Sequence, residues 1–180
     1  MPMHSHYALL ADYNQWMNRK LYDAAAKLPH EALIADRGAF FKSILGTLNH
    51  LVVADTIWLK RFRAHPSHPE ALASLGDIPT PSALDAMPYP DLAQLRQQRE
   101  RLDQIILAWT DSLDEAMLGS ALDYTSMQGV AARRVVSDVL AHFFNHQTHH
   151  RGQVTTLLSQ AGADVGVTDL LVRTPNALDS

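Results

Sequence analysis

His142-Phe-Phe-Asn-His146-Gln-Thr-His149-His150-Arg151-Gly152-Gln153 carries four of the chain's ten histidines. Around it Val136, Leu140, Phe143, Phe144, Val154, Leu157 and Leu158 recur at helical spacing, which predicts an amphipathic helix from about Val135 to Gln160, with Gly162 at its C′ position. On that helix His146 and His150, four residues apart, project from one face, one turn above the other. Two neutral imidazoles in this geometry can share a metal ion but cannot complete its coordination, so the remaining ligand has to come from another segment.

Working outward, three more stretches carry the helical period. Tyr7, Leu10, Tyr13, Met17, Leu21 and Ala24 mark a helix from about Ser5 to Leu28, with Ser5 as its cap and Pro29 beyond its end. Ile44, Leu48, Leu51, Val52, Ala54, Ile57, Trp58 and Leu59 mark a second from about Phe40 to Phe62. Leu95, Leu102, Ile105, Ile106 and Trp109 mark another from about Asp91 to Leu113. Between the second and third, residues 64–90 are broken by Pro66, Pro69, Pro79, Pro81, Pro88 and Pro90. This is the long crossover that a helix bundle admits in place of a short turn, with one short helical turn inside it. Tyr124 and Thr125, followed by Gln128-Gly129, suggest a short two-stranded hairpin before the last helix. The tail from Ala163 reads as irregular. The expectation is an all-α chain forming one domain over residues 1–180: a four-helix bundle with a long crossover between its second and third helices and a small hairpin before the fourth.

Composition narrows the function. With 180 residues and 47% hydrophobic content the chain can bury a substantial core. A net charge of −4 without a basic run argues against a nucleic-acid partner. No apolar stretch approaches the roughly 20 residues of a membrane span, and no secretory signal is visible at the N-terminus. The absence of cysteine excludes disulfides, thiolate zinc sites and a cysteine nucleophile. It fits a cytoplasmic protein and leaves histidine and carboxylate as the metal ligands.

His50 is the best third ligand. It lies midway along the second helix among apolar neighbours, so it faces inward, where its ring nitrogens require partners. Three histidines with open positions describe a reactive metal site, whereas closed structural sites use four protein ligands. A plainer reading stands beside this one. A lone buried histidine is more often a hydrogen-bonded core residue, and a lone His-x3-His pair more often a polar helix face; the co-occurrence of both is what favours the metal. His142 is open between ligand, donor to a ligand, and exposed residue. His149, rotated about 100° from His150, falls at the edge of the stripe. His4, His6, His30, His65 and His68 receive no role.

Other metal motifs fail. His30-Glu31 has Ile34 where a zincin needs its second histidine, and none of the four glutamates begins the Glu-x-x-His of a ferritin-like di-iron bundle. No Walker loop or dinucleotide glycine fingerprint is present.

Three stretches together resemble the DinB-like superfamily of metal-binding four-helix bundles. They are Tyr13-Asn14-Gln-Trp16-Met-Asn18, Asp36-Arg37-Gly38-Ala39-Phe40-Phe41-Lys-Ser43-Ile44-Leu-Gly46-Thr47-Leu48-Asn49-His50, and Asn145-His146-Gln-Thr-His149-His150-Arg151-Gly152-Gln153. The resemblance implies a three-histidine site, mapping onto His50, His146 and His150, with one divalent ion, zinc or nickel foremost. It also implies a homodimer, and metal-dependent transferases or isomerases that use low-molecular-weight thiols.

The accessory residues have readings of their own. Gly152 costs about 1 kcal/mol of helix propensity relative to alanine, which suggests a close packing contact near the site. Arg151 is read as an ion-pair partner ahead of an anchor for a substrate anion, and Gln153 as a donor to a ligand. Asp55 is either an acid near the metal or a surface charge. Trp16, Trp58 and Trp109 are read as core.

The leading expectation is therefore a metal-dependent enzyme of thiol-dependent transferase or hydrolase type, acting on a small molecule. The alternative is a non-catalytic, metal-stabilised stress-related or interaction protein.

Overall fold

Asp91 and Ser43 show how local chemistry sets the helices. Each stands in extended backbone just before a helix and turns its side-chain oxygen onto amides of the first turn, Asp91 onto Ala93 and Gln94, Ser43 onto Gly46. In the computed structural model, which describes the backbone of residues 3–176 and side chains from residue 5, the long helices are α1 (Met3–Ala25), α3 (Ile44–Arg63), α4 (Leu92–Asp111) and α6 (Val136–Gln160). Short helices α2 (His30–Ile34) and α5 (Glu115–Gly119) lie between them. His4 and the last residues of the tail, 177–180, lie outside the described side chains.

The chain is mostly helical. α1 packs on α4 and α6, and α3 packs on α6 and α4. The apolar positions that set the sequence periodicity meet in a common core: Met17 and Leu21, Leu48 and Leu51, Leu102 and Ile106, Leu140 and Phe143 are all buried. At about 25 cal/mol per Å² of apolar surface, such burial is the main favourable contribution to folding.

Two elements fix what surrounds the site. The crossover holds a 3₁₀ segment, Glu70–Asp77, and is latched to α3 by Asn49. The Asn49 amide donates to the Tyr89 carbonyl at 2.9 Å and accepts from the Tyr89 amide at 3.1 Å, so the side chain pairs as a strand would. The hairpin is present as β1 (Ala121–Thr125) and β2 (Ala131–Val135), antiparallel, with Leu122 opposite Arg134 and Tyr124 opposite Ala132. Gly129, with φ +79°, turns it. Gly162, φ +82°, ends α6 in the left-handed conformation expected of C′.

The boundaries depart from the sequence reading at four places. α1 begins at Met3, so Ser5 lies inside the helix and is not its cap, and it ends at Ala25, short of Leu28. α3 begins at Ile44, four residues later than expected, because Ser43 caps it, so Phe40 and Phe41 belong to the preceding turn. α2 and α5 are each five residues long, too short for periodicity to reveal. The tail contains a 3₁₀ turn, Leu170–Arg173, tied to α1 by the Arg173–Asp12 ion pair at 2.7 Å. Among the described residues no helix is long and apolar enough to cross a membrane.

Candidate metal centre

α3 and α6 bring His50, His146 and His150 together. One ring nitrogen from each lies within 4.8 Å of the others, and among the described residues these three alone form such a metal-sized group. The Nε2 atoms of His50 and His146 are 3.2 Å apart. A zinc–nitrogen bond of about 2.0–2.1 Å at the tetrahedral angle separates two ligand nitrogens by about 3.3 Å, so this spacing suits a shared ion.

The outer nitrogens decide the tautomers. Nδ1 of His50 lies 2.9 Å from the Leu84 carbonyl, which only accepts, so Nδ1 carries the proton. Nδ1 of His150 lies 2.8 Å from Oε1 of Gln153 and likewise donates. In the same orientation the Gln153 amide nitrogen lies 3.2 Å from Nε2 of His149 and donates to it. In the neutral rings of His50 and His150 the Nε2 atoms therefore carry lone pairs, that of His50 facing His146. A carbonyl or amide behind each histidine is the usual arrangement around a bound metal.

Neutrality follows from burial. Desolvation pushes His50 down to about 4, with the positive charge His150 can carry adding to it against the Leu84 bond. Desolvation, then repulsion from His150, His50, His142 and His149, pushes His146 to about 3. His150 is lowered by the same desolvation, partly offset by Gln153. All three present neutral imidazole near pH 7, the form that binds metal.

Phe41 closes one side. Its ring stacks on His50 with centroids 3.8 Å apart and meets His150 edge-on at 5.6 Å. Gly46 makes that placement achievable: a Cβ there would stand 2.2 Å from the Phe41 carbonyl oxygen, so only glycine lets the turn lie against α3. The motif's glycine thus serves close approach of backbone to backbone.

The neighbouring face of α6 does something different. Gln147 and Arg151, each one residue past a site histidine, are buried. Gln147 donates to Asp55, and Arg151 donates to Asn14. Asp55 also pairs with Arg99, which reaches Asp103 at 3.1 Å, and Asn18 donates to Asp103 at 2.9 Å. Two arginines and two aspartates thus share one buried polar network. Desolvation raises Asp55 to about 6 even against the pull of Arg99.

Several expectations are corrected by this arrangement. Asp55 is neither a metal-proximal acid nor a surface charge; it is a buried partner of Arg99 and Gln147. Arg151 makes no direct ion pair among the described residues; its guanidinium donates to Asn14 and Thr148 and lies over the face of Tyr13. Gln153 accepts from its histidine where donation was expected. Gly152 is exposed and a Cβ there would meet nothing within 4 Å, so it marks no close contact.

His142 is exposed and outside the three-histidine group, its ring 6.0 Å from that of His146 and 5.3 Å from Trp58. His149 is exposed beside His150. Trp109 is core, but Trp16 and Trp58 are only partly buried. His65, given no role, is buried between the hydroxyls of Ser67 and Ser120, at 2.9 and 3.0 Å.

Comparison with known proteins agrees with the motifs. The sequence profile of the DinB family matches residues 1–176. Protein DinB of Bacillus subtilis (strain 168) is 25% identical over 160 residues, covering 89% of this chain and 88% of that protein. No solved structure matches. With the profile match running almost the full length of the sequence, the chain belongs to the DinB family.

Proposed function

We propose that this chain is a metal-dependent enzyme of thiol-dependent transferase or hydrolase type, in which His50, His146 and His150 hold one divalent ion, zinc or nickel. The observation that carries the reading is the convergence of three neutral imidazoles, two of them locked by Leu84 and Gln153 with Nε2 lone pairs facing a common point. When bound, such an ion supplies a Lewis-acid centre that lowers the pKa of a water or thiol in its open position.

The protein's own part is orientation and exclusion. Leu84 and Gln153 hold the protons on the outer nitrogens, so no ring has to flip to bind. Phe41 covers the His50 face and limits water on that side. The buried network fixes the rotation of α6, and with it the direction of His146 and His150. The family resemblance supports a low-molecular-weight thiol as co-substrate and a homodimer. The proposal further takes the chain as a single four-helix-bundle domain acting in the cytoplasm.

A second reading has its own support. His50 stands on α3 and the other two histidines on α6, so a shared ion cross-links the two helices and would serve as a staple without chemistry. One experiment separates them. Metal-loaded and chelated protein are assayed with a panel of thiols and electrophiles or esters, and melted in parallel. The enzyme reading expects turnover that disappears with chelator and with His150→Ala. A large fall in melting temperature with no turnover anywhere in the panel would select the staple instead.

A further inference from the structure

The row of side chains that bears the site histidines continues past them. On α6, His142 precedes His146 by one turn, about 5.4 Å of rise. On α3, Trp58 follows His50 by eight residues on the same face, with small, buried Ala54 between. Trp58 and His142 meet edge-on at 5.3 Å, so the two rows still face each other there. Beyond them a cavity of about 550 Å³ opens, lined by Trp58, Tyr124, Arg134, Asp138, Val139 and His142. Its size is within the range of small-molecule sites.

Its walls are aromatic. Trp58 and Tyr124 meet at 5.2 Å with planes 66° apart, and the Arg61 guanidinium covers both rings from one side, 4.4 and 4.9 Å from their centroids. Arg61 is committed there and to the Thr125 carbonyl at 3.0 Å.

Arg134 is exposed and stands at the cavity wall. It pairs across the hairpin with buried Leu122 and so shares the hairpin face that carries Leu122 and Tyr124. The outward position next to it, Arg133, has its ion pair with Asp123 at 3.3 Å. Arg134 has no hydrogen bond or ion pair among the described residues, yet it lines the cavity. Asp138, on the same wall, has a separate reason to be acidic. It stands in the first turn of α6, whose N-cap Val135 offers no side-chain acceptor to the free amides.

We infer that this cavity is a binding site for a small aromatic carboxylate, its carboxylate on Arg134 and its ring against the outer faces of Trp58 and His142. A guanidinium fork matches a carboxylate in two parallel hydrogen bonds, and flat aromatic walls favour a flat apolar body. The binding site does not depend on the proposed metal site.

The test is calorimetric titration of the full chain with 3-phenylpropanoate, with the uncharged 3-phenylpropanol as control, in buffer containing excess chelator and again after metal loading. Saturable binding of the carboxylate in both buffers is expected, with the alcohol at least about tenfold weaker, the ratio that 1.4 kcal/mol gives. Arg134→Ala should weaken the carboxylate by a similar factor and leave the melting temperature unchanged, since Arg134 is exposed and has no hydrogen bond or ion pair among the described residues. Arg134→Lys should recover part of the affinity. The inference is overturned by equal binding of acid and alcohol, by undiminished binding to Arg134→Ala, or by no binding in either buffer up to the solubility of the acid. Because the chelator arm needs no metal, its failure is separate from failure of the three-histidine assignment.

Discussion

Two faces of α6, one residue apart, have opposite chemistry. His146 and His150 turn ring nitrogens to a point that His50 also reaches from α3. Gln147 and Arg151 are buried in a network that sets two arginines against two aspartates. The first face brings neutral ring nitrogens to one point shared with His50. The second sets opposite charges against each other, with Gln147 Oε1 and Arg99 Nε left without a hydrogen-bond partner, and it ties α6 to α3 through Asp55 and to α1 through Asn14. A residue adjacent in sequence to a site histidine therefore need not act at the site. Its contribution is to stop the helix from rotating, because a turn of 100° would exchange the two faces.

The largest effect is expected on the charged face. Asp55→Ala leaves Arg99 buried without its closest carboxylate, and losing one partner of a buried pair costs about 3–5 kcal/mol. Urea denaturation should show a loss of that size, and replacing Arg99 by methionine in the same chain should restore part of it. Additive losses would mean that the two do not act as a pair. Next in size is Gly46→Ala. Its methyl cannot share space with the Phe41 carbonyl, so the turn must move off α3, for about 1–3 kcal/mol. The metal site should loosen with it, read as weaker metal binding by the same titration used for wild type.

Gln153→Ala sharpens the other side. The His150 ring loses the acceptor that orients it, and substitutions of this kind lower metal affinity by about 10–100-fold. Stability without metal should change by no more than about 0.5 kcal/mol, because Gln153 is a partly exposed residue whose bonds are to neighbouring histidines.

The smallest effect is with pH. His146 is held near 3 in the folded chain, below the usual value for an unfolded histidine, so the unfolded state binds more protons through this group as pH falls below about 6.5. Its contribution is present above that pH and is lost on acidification toward 3. Asp55, raised to about 6, acts in the opposite direction between its unfolded value and 6, so total stability mixes the two. The difference between wild type and His146→Ala cancels Asp55. Measured in chelator, that stability gap should narrow from pH 7 to pH 5; a constant gap would mean that His146 is not desolvated.

The part of the fold and site that could be read from sequence is the part that periodicity carries. The four long helices follow from apolar positions three and four apart, and His146 and His150 fall on one face for the same geometric reason. His50 stood out as a polar residue in an apolar run. Phe41 did not stand out, because its aromatic ring extends the apolar pattern of α3 and conceals the helix start at Ser43. The roles of Asp55, Gln147 and Arg151 depend on pairings between residues 44–137 positions apart, which no local pattern encodes. Gly152 misled because low helix propensity has a packing cause in some helices, and here the position faces open space. Trp58 looked like core from its spacing, and only the position of the hairpin shows that it walls a cavity.

The central claim is that His50, from a different helix, completes the site that His146 and His150 begin. The most direct measurement is metal content by elemental analysis, with titrated affinity, for wild type, His50→Ala and His150→Ala, each verified as folded by circular dichroism. Wild type should carry one divalent ion per chain, and both variants should lose stoichiometric metal. One ion per chain in His50→Ala, held with wild-type affinity, would contradict it.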